Sequence, residues 1–163
     1  MENLKDLLCH QLKALYCVED LTINYFPLII EKIDEPKLKN ALKFHLKETR
    51  AQISRLDAIS KDLKFNNNRA EFTAISGLFD QMKEFMINVK NSNVFNAGLI
   101  AELQRIEHFE ICAYGTAVCY AKELGLYRIA SLLQETLNEE YGTNDKLSLL
   151  AKVFLNYRAV EQV

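Results

Sequence analysis

Six glutamates, Glu19, Glu48, Glu107, Glu110, Glu135 and Glu139, sit where a helical protein would place core residues. The stripe through Glu19 reads Leu8, Leu12, Leu15, Glu19, Thr22, Phe26, Ile29, Ile33. The stripe through the 107/110 pair reads Ile100, Leu103, Glu107, Glu110, Tyr114, Ala117, Ala121, Leu124. The stripe through the last two reads Leu132, Glu135, Glu139, Gly142, Lys146, Leu149, Val153. Glu48 shares a face with Leu38, Ala41, His45, Gln52 and Ile59, beside a competing apolar stripe of Leu42, Leu46, Thr49, Ile53, Leu56 and Leu63. Ionised carboxylates gathered in a core cost several kcal/mol each, roughly, and raise one another's pKa. A pair of divalent or trivalent cations would neutralise them. Hard oxygen ligands with some imidazole suit iron or manganese. A spacing of three or four residues puts two ligands on one side of one helix. The same glutamates also read as a metal-free network hydrogen-bonded to Tyr, Gln and Lys.

Other residues flank this set. His45, three residues before Glu48, offers one imidazole or a hydrogen bond to Glu48. Gln52, four residues after Glu48, occupies a similar face. Tyr16 and Tyr114 lie about one turn from the layer, placed to orient a carboxylate, to donate an electron or simply to pack. His108 is about 100° round its helix from Glu107, which places it either just behind the ligands or at the surface.

Long helices must carry these residues. Periodicity is helical nearly everywhere. The spacing predicts a first helix from Asn3 to Ile33, kinked or broken at Pro27. Asp34 then reads as an N-cap, with Pro36 in the first turn of a second helix ending near Leu63. Lys64–Arg69 reads as a loop, and residues 70–90 as a shorter amphipathic segment with Phe72, Ile75, Leu78, Phe79, Met82, Phe85 and Met86 on one side. Asn91-Ser92-Asn93 breaks it. A third long helix follows from Val94 to Leu124, closed by Gly125, and a fourth from Leu126 to Phe154, weakened at Gly142. Each long helix spans about 40–46 Å at 1.5 Å per residue. Two tight hairpins joined by one crossover of about 30 residues give the connectivity of a ferritin-like four-helix bundle with a short fifth helix. Antiparallel helices of similar length align their midpoints, so the six carboxylates are expected in one layer.

Composition agrees. The 163 residues suit one domain, 1–163, and 49% are apolar, enough for a sizeable core. The net charge of -2, from 20 basic and 22 acidic residues, gives no attraction to nucleic acid or an anionic membrane. No apolar run approaches the ~20 residues needed to span a bilayer. Cys9, Cys17, Cys112 and Cys119 contain no CxxC pair and read as reduced thiols of a cytoplasmic protein.

The segments LKALYCVED, FHLKETRAQISRL, IEHFEICAYGT and LLQETLNEEY, the last followed by DKL, resemble the YciE/YciF-type ferritin-like family of bacterial stress-associated proteins. The likeness covers nearly the whole chain, with the same helix order. The pair Glu107-x-x-Glu110 is also similar to rubrerythrin, a di-iron peroxidase. By that resemblance Glu19, Glu48, Glu107, Glu110 and Glu135 map onto di-iron carboxylates. The pattern departs where ferritins and rubrerythrins carry Glu-x-x-His, because Ala51 and Asn138 stand in the histidine positions. Gln52, Glu139 or His45 would have to substitute.

The resulting expectation is a stress-response protein holding two iron ions, with manganese or another divalent metal as alternatives. It would reduce peroxide or oxygen, or oxidise Fe(II). A non-catalytic metal-binding bundle and a metal-free structural or interaction bundle are the rivals. The family likeness and the apolar crossover helix point to a homodimer.

Overall fold

The computed structural model describes residues 1–66 and 72–160. Among these, every regular element is a helix: α1 (Leu4–Lys32), α2 (Pro36–Leu63), α3 (Thr73–Asn88), α4 (Ser92–Glu123), α5 (Tyr127–Leu150), a π-helical turn (Ala151–Leu155) and α6 (Asn156–Val160). The expected loop over 64–69, and the start of the segment at 70, lie partly outside the described residues.

Local signals set most boundaries. Asn3 caps α1 by accepting from the Asp6 amide at 3.0 Å, and Asn91 caps α4 by accepting from the Val94 amide at 3.1 Å. α4 therefore starts at Ser92, inside the tripeptide expected to break the chain. Pro36 opens α2, but the cap before it is Glu35, whose carboxylate accepts from the Lys37 amide at 3.2 Å. Asp34, the expected cap, instead accepts from Asn96 at 2.6 Å and from the Ser92 hydroxyl. Those contacts tie the end of α1 to the start of α4 and hold the Asp34 carboxyl below its usual range. Gly125 adopts φ 69° after α4, a conformation that glycine tolerates best. α1 runs unbroken through Pro27. Buried Phe26, Ile29 and Ile30 pack on either side of that exposed proline and hold the helix across its missing donor. α5 likewise continues through Gly142.

α1 packs on α2 and α4, and α5 packs on α4 and α2. The bonds Asp34–Asn96 and Arg55–Glu135 show that both cross-hairpin neighbours, α1/α4 and α2/α5, run antiparallel. This is a four-helix bundle with ferritin-like connectivity, the crossover carrying α3. Ile75, Phe79 and Met82 of α3 are buried against one end of the bundle. Two apolar clusters fill the core. One holds Phe26, Ile29, Leu38, Phe79, Leu99 and Leu103 among others, and the second holds Leu8, Leu12, Leu56, Ile59, Ala117 and Leu133. Fully burying a Leu or Phe in them contributes about 1.5–3 kcal/mol. A polar layer separates the two. The four cysteines form no disulfide, and no described helix is long and apolar enough to cross a membrane.

Candidate metal centre

The polar layer is built from one or two side chains of each long helix. α1 supplies Glu19, whose neighbours one turn away, Leu15 and Thr22, are also buried. α4 supplies Glu107 and Glu110, three residues apart on one face. α2 supplies His45 and Gln52, and α5 supplies Glu140. All six are essentially inaccessible to solvent.

Ligand-capable atoms of His45, Glu107, Glu110 and Glu140 lie within 4.8 Å of one another. His45 Nε2 is 3.3 Å from Glu107 Oε1, without hydrogen-bond geometry, and its Nδ1 is 3.4 Å from the Thr143 hydroxyl. Tyr114 donates to Glu19 Oε1 at 2.6 Å. Gln52 donates to Glu140 Oε1 and, at 3.0 Å, to Glu139 Oε2. Many acceptors remain unpaired. Both oxygens of Glu110, one oxygen each of Glu19, Glu107 and Glu140, His45 Nε2 and Gln52 Oε1 have no hydrogen-bond partner among the described residues.

Electrostatics follow from this crowding. Burial, and then the charge of Glu140, push the Glu19, Glu107 and Glu110 carboxyls well above the usual range. Burial lifts Glu140 to about 8, against the pull of its hydrogen bond with Glu107. Burial also depresses His45 to about 4, so its imidazole is neutral at physiological pH and keeps a ring lone pair for donation. Without a cation, burial and crowding therefore favour the protonated form of these carboxyls over the charged one.

The donor set of carboxylates plus one imidazole is that of a hard or borderline cation. Buried carboxylate oxygens without hydrogen donors are what such an ion would satisfy. The residues fit the group that ferritin-like bundles carry.

A domain-family profile spans residues 3–160. The chain belongs to the family described as a domain of unknown function, DUF892. Within that family it is similar to Protein YciF of Escherichia coli K12, 33% identical over 160 residues, covering 98% of this chain and 96% of that protein. The crystal structure of the E. coli stress protein YciF matches with a TM-score of 0.88 at 34% identity, over 93% of this chain and 96% of that one. YcfI of Rhodopseudomonas palustris, described as a candidate structural protein, matches with a TM-score of 0.87 at 35% identity, over 91% and 94% of the two chains. A Xanthomonas campestris protein at 19% identity shares the fold, with a TM-score of 0.75 over 99% of this chain and 100% of that one.

In this DUF892 chain, the sequence-derived set divides in two. Glu19, Glu107, Glu110, His45 and Gln52 come together. Glu48 lies at the rim, half-buried, with its carboxylate 4.0 Å from His45 Nδ1. The fourth helix is turned by about 100° from the expected phase, one residue's worth. Its buried face carries Leu133, Thr136, Leu137, Glu140, Thr143 and Leu147. Glu135 is consequently exposed rather than in the layer, and Glu139 is half-buried outside the cluster. Both are bound by Arg55, which grips Glu139 through both Nη atoms at 2.7 Å each and reaches Glu135 at 2.7 Å. Tyr16 donates to Asp57 at 2.9 Å, away from the cluster, whereas Tyr114 contacts it directly. Sequence reasoning missed Glu140 and Arg55. The signal for Glu140 was the Leu133–Leu137–Glu140 phase, on which Thr136 and Thr143 also fall.

Proposed function

We propose that this chain is a YciF-type stress protein whose bundle centre binds a pair of iron ions. Glu19, His45, Glu107, Glu110 and Glu140 would hold them, and Glu48 stands at the rim. The set of buried, unpartnered carboxylate oxygens carries this reading. Manganese or another divalent metal suits the same donors. Bound iron would supply one-electron chemistry toward oxygen, peroxide or Fe(II). The chain's own residues have separate tasks. Tyr114 fixes the orientation of Glu19, Gln52 fixes Glu140, and the apolar clusters on both sides keep bulk water from the layer. The cluster carboxyls release their protons as the cation's charge replaces them.

A second reading is a metal-free structural bundle. The hydrogen-bonded rim of Arg55, Glu139, Gln52 and Thr136 favours it, as does the description of YcfI. A homodimer is the assembly proposed with either reading, and sedimentation analysis measures it. Elemental analysis separates the two readings, using protein purified without chelator and again after anaerobic Fe(II) loading. The metal-binding reading expects about two Fe or Mn per chain, the content of ferritin-like di-metal sites, lost in Glu110→Gln and Glu140→Gln. A content near zero after loading leaves the structural bundle. Loaded protein that shows no oxygen- or peroxide-dependent oxidation is a metal-binding bundle without turnover.

A further inference from the structure

A continuous row of polar side chains leads from solvent to the cluster along the seam between α2 and α5. Exposure falls along it: the Glu135 side chain is 58% exposed, Glu139 22%, and Gln52 and Glu140 0%. Hydrogen bonds link successive members. Arg55 joins Glu135 to Glu139, and the Gln52 amide joins Glu139 to Glu140. Along the bundle axis the cluster is closed on both sides by apolar layers. A cation entering there would lose its hydration with no oxygen to replace it. On the α2–α5 seam a carboxylate or amide oxygen is available at each stage. Gln52 Oε1, fully buried and without a hydrogen-bond partner among the described residues, belongs to the step of the row next to Glu140.

We infer that this seam is the entry route for a divalent cation, with Glu135 and Glu139 capturing the ion and Arg55 gating its passage. The inference rests on the metal-binding reading of the central cluster. Arg55 is a built-in cation at the mouth. Its planar fork holds Glu139 by two parallel hydrogen bonds, a geometry lysine cannot reproduce. An incoming ion must take Glu139 from Arg55 before the carboxylate can hand it inward. Arg55 therefore sets the rate of loading and leaves the final content to the cluster. The exchange transfers no electrons and breaks no covalent bond. One carboxylate changes its cationic partner, and the guanidinium turns to Glu135 or to water.

The probe is Co(II), mixed rapidly and anaerobically with the metal-free full-length protein, with the growth of its visible absorption giving the rate. Metal per chain after equilibration gives the content, and a circular-dichroism melt confirms folding of each variant. Arg55→Gln and Arg55→Lys are expected to load about tenfold faster than wild type, to the same final content. Glu139→Gln is expected to load about tenfold more slowly, also to the same content. If wild type binds no Co(II), the central site fails and the route with it. If wild type loads and all three variants load at its rate, the central site stands and the route is wrong. Arg55→Lys loading like wild type while Arg55→Gln is fast would leave only a charge effect and overturn the clamp. A lower final content in Glu139→Gln would make Glu139 a ligand and overturn its role as a relay.

Discussion

Tyr114 on α4 donates its hydroxyl proton to Glu19 Oε1 on α1 at 2.6 Å, with both side chains fully buried. It is the one hydrogen bond the Glu19 carboxylate receives among the described residues, since Oε2 has none. The bond couples α1 to α4 at the level of the cluster and aims Glu19 at the centre.

Tyr114→Phe removes this donor and leaves a buried carboxyl wholly unpaired. The metal-free protein is expected to lose about 1–3 kcal/mol, the desolvation cost of an orphaned buried acceptor. Tyr16→Phe, whose hydroxyl meets a solvent-exposed Asp57, is expected to lose less. Urea unfolding of the two variants side by side measures the difference. Equal losses would mean that Glu19 finds another partner.

Removing a cluster carboxylate has the opposite sign. Glu110 has both oxygens buried and without a hydrogen-bond partner among the described residues, so Glu110→Met replaces an unsatisfied polar group by an apolar one of similar volume. The metal-free protein is expected to gain about 1–3 kcal/mol, the desolvation cost of a buried polar group that lacks partners. Metal content is expected to fall in the same variant. A stability gain with lost metal is the behaviour of a residue kept for binding rather than for folding. A destabilised, metal-free Glu110→Met would instead make Glu110 part of the structural framework.

The crossover helix offers a test independent of the cluster. A Cβ added at Gly98 of α4 would collide with the Phe85 ring of α3, which also stacks on Phe95 at 6.0 Å. Gly98→Ala must therefore displace that ring, against the small gain in helix propensity that alanine brings. A net loss of about 1–3 kcal/mol is expected, the usual cost of overpacking, while metal content stays at the wild-type value. Gly142→Ala, with nothing within 4 Å, is expected to stabilise by up to about 1 kcal/mol.

Much of this arrangement was legible in the sequence because α1 and α4 carry clean stripes. Leucine at 8, 12 and 15 fixes the phase that buries Glu19, and Ile100 and Leu103 do the same for Glu107 and Glu110. In α2 most of both competing stripes is buried, with Ala41, Glu48 and Ile53 half-buried, because the helix packs against α1 on one side and α5 on the other and needs a wide inner face. α5 was misread because Leu149 and Val153 look like core residues yet face outward. They drew the inferred phase one residue away from Glu140. Arg55 was invisible for a different reason. Its partners lie 80 and 84 residues along the chain, and no local spacing reports a contact made across two helices. The cap at Glu35 was missed likewise, because Asp34 is occupied by Ser92 and Asn96 of α4.

The protonated cluster fixes the sign of the pH dependence. Glu19, Glu107, Glu110 and Glu140 all have folded-state pKa values above the ordinary carboxyl value of about 4.3. Between that value and their folded one, the folded protein binds more protons than the unfolded chain, so stability falls as pH rises. Their contribution is full below about pH 4 and is lost as pH passes through the raised values, which for Glu140 means about 8. His45 works the other way. Its folded value of about 4 lies below the usual one, so its contribution is full above about pH 6.5 and is lost as pH falls. From pH 6.5 to 8 the carboxyls act unopposed by this histidine, and metal-free protein is expected to weaken by up to about 1.4 kcal/mol per pH unit for each carboxyl still protonated in the folded state. Metal reverses the trend, because the ion binds the deprotonated carboxylates and gains affinity as they release their protons. Urea midpoints at pH 6.5 and 8.0, with and without Fe(II) under anaerobic conditions, measure both signs. A metal-free midpoint that rises with pH would show that the carboxyls are already ionised and paired, and a midpoint indifferent to Fe(II) at pH 8.0 would remove the cation from the centre of the bundle.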